Sequence, residues 1–379
     1  MLFGKFLMTT TAFLSLEDIA DNLPRYDESV LSVEMDEELA RAYEGLEKDI
    51  RAAMRAHRGN KSLMSILLNT LLLYPDHPYG FEDIWARAFD PQTKEYVRFL
   101  VTTPRNLAED RLYAKERALI TDIREELRQG RRCQVYATYT GERDVTLRLD
   151  TVLRQAGFRV AVLRSSVATD KREEWYERQL KAGVEIVICH PKLVETGLDL
   201  LAFPTLYFYE TGYSLHTLRQ ASRRSWRIGQ RLAVRVKFVT YPGTMQETCL
   251  RLMGKKMLVA MMMEGKFSGE GLQSLDTDED LMSAMARELV EKAGVGESAD
   301  KMWRELDRER ERVLPRPPSA LVEEDQNPVF DLSVAESTDP PAGLAGIHIV
   351  EPPASVRIRQ KPSLWPTASE PAVQLNLFG

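Results

Sequence analysis

The chain has 379 residues, 44% of them hydrophobic, with a formal net charge of −6. That is enough apolar material for at least one full-sized core, and it excludes a uniformly basic nucleic-acid coat while leaving room for a local basic track. No apolar run approaches the roughly 18 residues of a spanning helix, so no membrane partner is expected. Cys133, Cys189 and Cys249 are too widely spaced for a CxxC site or a disulfide framework. His57, His77, His190, His216 and His348 show no i to i+4 pairing that would suggest a metal. A reducing cytoplasm fits this cysteine usage.

In chain order, MLFGKFLMTTTAFLSLED is interrupted by Lys5 and several threonines before Glu17 and Asp18. It reads as a weak signal peptide or as an ordinary start. Met35 to Met54 and Lys61 to Leu73 carry leucines, alanines and charges at helical spacing. YPDHPYG, residues 74 to 80, breaks that pattern as a loop, and Phe81 to Phe89 reads as a short further helix. Residues 1–110 are therefore expected to form a mainly helical preface.

From 111 to 268 the pattern changes. Short apolar, β-branched or aromatic runs recur: CQVYATYT from Cys133, RVAVLR from Arg159, EIVICH from Glu185, TLYFYE from Thr205 and AVRVKFVTY from Ala233. Helix-length amphipathic stretches lie between them at Asp144 to Gln155, Asp170 to Lys181 and Leu215 to Trp226, several opened by an Asp or Ser suited to an N-cap. Strand and helix in alternation predict an α/β fold, a parallel sheet covered on both faces, with ligands at the carboxyl ends of the strands. Asp276 to Val313, within a 269–313 extension, reads as a charged, solvated helix pair. Eleven of the 19 prolines lie at or beyond Pro315, which marks 314–379 as a disordered, Pro-rich tail.

Two short segments carry chemistry. In QASRRSWRIGQ, Gln220 to Gln230, Arg224 and Arg227 stand three apart at the end of a predicted helix, where they share a face. Guanidinium groups are always charged and planar, suited to a phosphoryl group whose charge redistributes during transfer; two such arginines also occur as a surface pair bound to local carboxylates. VETGLDL, Val194 to Leu200, follows the strand EIVICH and places Gly197 where a tight turn needs one.

These segments resemble motifs VI and V of superfamily-two helicases, specifically the Swi/Snf-like branch, and CQVYATYT resembles motif IV. The resemblance implies a single RecA-like lobe, the second of a two-lobed DNA-dependent ATPase, with Arg224 and Arg227 as transition-state fingers. It implies Gly197, Asp199 and Gln220 on the nucleotide side, and Thr138, Ser165, His190 and Lys192 facing DNA. For Thr138 a buried strand end with a satisfied hydroxyl is an equal alternative. Pro191 stands where the family has Ser or Thr, and Trp226 where Swi/Snf-like proteins commonly have His; an indole cannot accept a hydrogen bond.

FLSLEDIADNLPRYDESVLSVEMDEELARAYEGLEKDI, from Phe13, resembles the segment that follows motif III in phage and mobile-element members. The likeness thus spans residues 10 to 268. Within the chain there is no GxxxxGK[ST] loop and no DEAH-type tetrad; RGNKS, MGKK and TDED lack the required spacing or setting. ATP and Mg2+ are accordingly expected only with a complementary first lobe encoded elsewhere, through a split, frameshifted or truncated gene. The rival expectation is a non-enzymatic DNA or clamp adaptor, or a remnant. QLNLFG closes the chain, and Gln374, Leu375, Leu377 and Phe378 resemble the peptide by which bacterial repair proteins bind the sliding clamp; an incidental apolar terminus is the alternative.

Overall fold

The computed structural model describes residues 23–57, 60–90, 92–139, 143–194, 197–210, 212, 214–263, 281–291 and 298–313. The tail, with its clamp-like peptide, lies outside the described residues. Helices α1 (Glu37–Ala56) and α2 (Lys61–Leu73) are followed by a hairpin of β2 (Ile84–Asp90) and β3 (Glu95–Thr102). The main sheet takes β1 (Tyr26–Ser32), β4 (Cys133–Tyr136), β5 (Val160–Leu163), β6 (Ile186–Cys189), β7 (Thr205–Phe208) and β8 (Val234–Thr240). The helices threaded among and after these strands are α3 (Ala114–Arg128), α4 (Val145–Gln155), α5 (Arg172–Lys181), α6 (Leu215–Ser222), α7 (Met245–Met263), α8 (Leu281–Glu291) and α9 (Ala299–Val313).

The sheet order is β1-β8-β7-β4-β6-β5, and every neighbouring pair is parallel. All four residues of β4, of β6 and of β7 are buried, as a parallel sheet covered on both faces requires. Val135, Ile186, Ile188 and Tyr207 meet Leu119 and Ile123 of α3 and Leu149 and Leu153 of α4. Tyr136, Val187, Leu206 and Phe208 belong to a larger core on the opposite face, shared with α1, α2 and α7. The α/β fold with a parallel sheet covered on both faces, anticipated from the alternation of elements, is present. Its caps form as expected at Asp144, which accepts from Thr146 N, and at Ser214, which accepts from Thr217 N.

Three features depart from the sequence reading. Phe81 to Phe89 is not a helix: Ile84–Asp90 pairs antiparallel with Glu95–Thr102. Ahead of the two expected helices, Tyr26–Ser32 is a strand that extends the main sheet alongside β8. The helix pair after residue 276 is not a solvated appendage. Trp303 is fully buried, packs with its ring tilted 4.3 Å from that of Phe238 and donates from Nε1 to the Leu250 carbonyl at 3.1 Å. Gly254 permits this approach, since a Cβ there would meet Met302 Cγ at 3.0 Å and Trp303 Nε1 at 3.3 Å.

Buried polar contacts fasten the N-terminal region to the sheet. Asp76, in the YPDHPYG loop, pairs with Lys115 at 2.9 Å, and Gln246 bridges both, its Oε1 accepting from Lys115 Nζ at 3.2 Å and its Nε2 donating to Asp76 Oδ2 at 2.7 Å. At the amino-terminal ends of the strands, Glu126 accepts from Arg131 Nε and Thr205 Oγ1, both at 2.7 Å, and from Arg235 and Lys237, both at 2.9 Å. Burial works to raise its pKa, but the Lys237 and Thr205 hydrogen bonds and the neighbouring cations hold it at about 2.

Candidate nucleotide and nucleic-acid site

The motif residues fall into two groups that the topology separates. The first lies just beyond the carboxyl ends of the strands: Thr138 after β4, Ser165 after β5, and His190 and Lys192 after β6. Ser165 and Lys192 are exposed. His190 Nδ1 accepts from Lys192 N at 3.0 Å and so opens a 3₁₀ turn over Pro191–Leu193. Pro191 suits this place, because the first N–H of a helical turn has no internal partner.

Thr138 is occupied differently. β4 and β7 are neighbours whose connections leave in opposite directions along the sheet, to β5 and to β8, which makes the crevice beyond them the switch point where such sheets bind ligands. Glu210 fills that crevice: its Oε2 accepts from the backbone N–H groups of Thr138 and Tyr139, both at 2.9 Å, and its carbonyl accepts from Thr138 Oγ1 at 3.0 Å. The single hydroxyl proton of Thr138 is thereby engaged within the crevice. Burial pushes the Glu210 carboxyl pKa well above the ordinary range, and the nearby Asp76 charge adds to this. Glu210 Oε1 is buried without a hydrogen bond among the described residues. Sequence reasoning passed over Glu210; its signal is an acidic residue ending an otherwise apolar strand, TLYFYE.

The second group comprises the turn Gln220–Gln230 and the crossover that runs from β6 to β7. Rather than standing at the carboxyl ends, this turn is tied to backbone immediately ahead of β7, β8 and β1. Leu200 N donates to the Arg224 carbonyl at 2.9 Å. Gln230 Nε2 donates to the carbonyls of Leu201 and Ser225, both at 3.0 Å, while its Oε1 accepts from Arg231 N at 2.9 Å and Leu232 N at 3.0 Å. Trp226 Nε1 donates to the Pro24 carbonyl at 2.7 Å, and its ring lies 5.3 Å from that of Tyr26. The Trp226 indole thus serves as an anchor for the segment leading into β1.

The two arginines have different surroundings. Arg224 is only 9% exposed, and its Nη2 stands 3.5 Å from Gln220 Oε1. Arg227 has a side chain 35% exposed, with Nε 3.5 Å from Oδ1 of Asp199, which is 66% exposed. That buried Nε makes no hydrogen bond among the described residues. An open ion pair of this length is weak in water and exchanges readily for a stronger anion. Gly197 has φ of +71°, with open space where a Cβ would stand, so backbone conformation and not crowding selects glycine. The crossover therefore brings Asp199 to Arg227, whereas Gly197 contributes only its left-handed backbone turn.

Comparison with known proteins adds the family context. Residues 115–229 match the helicase conserved C-terminal domain, a span that takes in β4 to β7, the crossover and the arginine turn. Over 233 residues the chain is 26% identical to the putative ATP-dependent helicase/translocase YwqA of Bacillus subtilis (strain 168). That match covers 61% of this chain and 23% of the relative, so the chain spans about a quarter of the length of the curated protein it matches. Two solved structures are similar. One is the C-terminal part of the Fun30 ATPase domain, at 14% identity and TM-score 0.48, covering 72% of this chain and 100% of that one. The other is the SWI2/SNF2 ATPase core of Sulfolobus solfataricus in complex with dsDNA, at 15% identity and TM-score 0.42, covering 71% and 51%. Among the described residues no helix is long and apolar enough to cross a membrane, and no cluster of three or more His, Cys, Asp or Glu side chains is arranged to hold a metal ion.

Proposed function

We propose that this chain is the second motor lobe of a Swi/Snf-like, DNA-dependent ATPase, of phage or mobile-element type. It acts on a nucleotide held by a first lobe, whether that lobe lies on the same polypeptide or on another. The observation that carries the reading is the arginine turn itself. It is held on both sides by the Gln230 amide and the Leu200–Arg224 backbone bond, yet it leaves Arg227 half-exposed beside a weakly paired, exposed Asp199.

The donor set fits a phosphate. Arg227 offers a guanidinium whose existing partner a phosphoryl oxygen displaces at little cost, and Asp199, once released, is left facing the nucleotide. Arg224 is nearly buried and Arg227 is more open, so Arg227 is the primary finger and Arg224 its support. ATP supplies the transferring phosphoryl group and Mg2+ neutralises it, both carried by the first lobe, since the 379 residues contain no phosphate loop. Ser165, His190 and Lys192 contact DNA phosphates from the carboxyl-end loops; Thr138 joins them through its position more than its hydroxyl. Gln374 to Phe378 recruit the assembly to a sliding clamp.

The test is steady-state ATP hydrolysis by the lobe pair with Arg227→Ala. A finger contributes on the order of a thousandfold in turnover. The reading expects a loss of that order in kcat with little change in KM for ATP, and it is abandoned if turnover stays within a few-fold of the parent.

A further inference from the structure

The β2–β3 hairpin lies outside the motor motifs and carries an outer face that nothing in the motor reading uses. Its inner face is docked: Ala86 is buried, the Phe99 ring lies tilted 4.5 Å from that of His57, Thr102 Oγ1 donates to Asp49 of α1 at 2.7 Å, and Asn60 donates to the Arg87 carbonyl at 2.9 Å. On the outer face the register sets three cross-strand rows in succession, Trp85 opposite Leu100, Arg87 opposite Arg98, and Phe89 opposite Tyr96. Tyr96 is 72% exposed, Phe89 53% and Trp85 40%. Rows on one face of a ribbon repeat at about 7 Å.

Two aspects of this face are costly for the free protein. A cluster of three exposed aromatic rings and a leucine on one small ribbon is apolar surface that a monomer ordinarily buries. Arginines directly opposite each other repel, and neither Arg87 nor Arg98 has an ion pair among the described residues; Arg98 instead lies 4.7 Å over the Trp85 ring. Phe89 and Tyr96 meet edge to face, 5.6 Å apart, and both remain largely exposed. The four carboxylates of this segment, Glu82, Asp83, Asp90 and Glu95, are not in the three outer rows. An occupant must therefore be anionic at the middle row and flat and stackable at the rows on either side.

We propose that this hairpin face binds single-stranded nucleic acid, with unpaired bases stacked on Trp85 and on the Phe89–Tyr96 pair and the intervening backbone phosphates held by Arg87 and Arg98. Single strands match because each base offers a π-face at any sequence, whereas in a duplex those faces are stacked on one another. The site is independent of the arginine turn and would serve a motor or an adaptor alike.

The experiment is anisotropy titration of the full chain against a labelled oligothymidylate at several salt concentrations. Arg87→Gln with Arg98→Gln should weaken binding roughly tenfold or more and make the log–log salt slope shallower by about 1.4, two phosphate contacts at about 0.7 each. Phe89→Ala with Tyr96→Ala should weaken it roughly tenfold or more while leaving the salt slope unchanged. All six outer-row side chains are surface groups, so thermal midpoints should match the parent. Parent-like affinity in both double variants overturns the proposal. So does a duplex that binds as tightly with the same dependence on the hairpin, and so does polyglutamate displacing the oligonucleotide at equal charge, which would make the partner an acidic polypeptide. Failure of Arg227→Ala to affect hydrolysis bears on the motor reading alone.

Discussion

Gln230→Ala removes the residue that most directly fixes the arginine turn. Its amide is nearly buried and makes four hydrogen bonds of 2.9 to 3.0 Å, two donated to the carbonyls of Leu201 and Ser225 and two accepted from Arg231 N and Leu232 N. Arg231 and Leu232 are exposed, so water takes over much of the accepting role there. The Ser225 carbonyl is in the interior and the Leu201 carbonyl at its border; leaving them unpaired costs about 1–3 kcal/mol each. Partial relaxation brings the expected total to about 2–4 kcal/mol. Urea denaturation of parent and variant reads this as a fall in midpoint at unchanged slope. Gln230→Glu distinguishes lost bonds from lost volume, because a carboxylate keeps the two accepting bonds but faces two carbonyls it cannot donate to. It should be destabilised at least as much at neutral pH. A change under about 0.5 kcal/mol in the alanine variant would refute the clamp.

Acid should act through Glu126. Its folded pKa of about 2 lies below the ordinary 4.5, so it contributes about 3 kcal/mol above pH 4.5 that is lost as pH falls from there toward 2. Glu126→Gln should flatten the stability–pH curve across that window, with denaturation midpoints as the measurement. Gly197→Ala should cost about 1–2 kcal/mol by thermal denaturation, since φ is +71° with no crowding, and Gly197→Asn should cost less. Trp226→Phe should cost about 1 kcal/mol, the indole hydrogen bond to Pro24, and should raise amide exchange at Tyr26 and its β1 neighbours. Leu377→Ala with Phe378→Ala should abolish binding of the tail to purified clamp in a peptide-binding assay.

The strands of the parallel core were legible because burial on both faces demands unbroken apolar runs, and CQVY, VAVL, IVIC and TLYF stand out between polar helices. The capped starts at Asp144 and Ser214 were legible for an equally local reason. Ile84–Asp90 was not, because Phe81, Ile84, Trp85 and Ala88 also satisfy helical spacing. What decides the matter is pairing with Glu95–Thr102, and exposed aromatics on the outer face erase the usual alternation. Strand β1 was hidden for another reason. YDESVLS has little apolar content, and its partner β8 lies some two hundred residues further on. In the site, residue types suggested which side chains matter, but not that the arginine turn sits ahead of β7 and β8 while Lys192 sits behind β6. That separation is set by the crossover from β6 to β7, which has a 3₁₀ turn in place of a full helix. The Glu210 and Gln230 contacts were equally out of reach, since each depends on backbone groups brought together only by the sheet order.

The central claim, that this chain completes an ATP site through Arg227 without making one, is tested most directly by duplex-stimulated ATP hydrolysis. The chain alone, a Walker-A-bearing first lobe alone, the mixture, and the mixture with Arg227→Ala are to be measured side by side. The account predicts hydrolysis well above either component only in the parent mixture, falling by about a thousandfold in the variant. Robust duplex-stimulated hydrolysis by the chain alone, or parent-level turnover in the Arg227→Ala mixture, would contradict it.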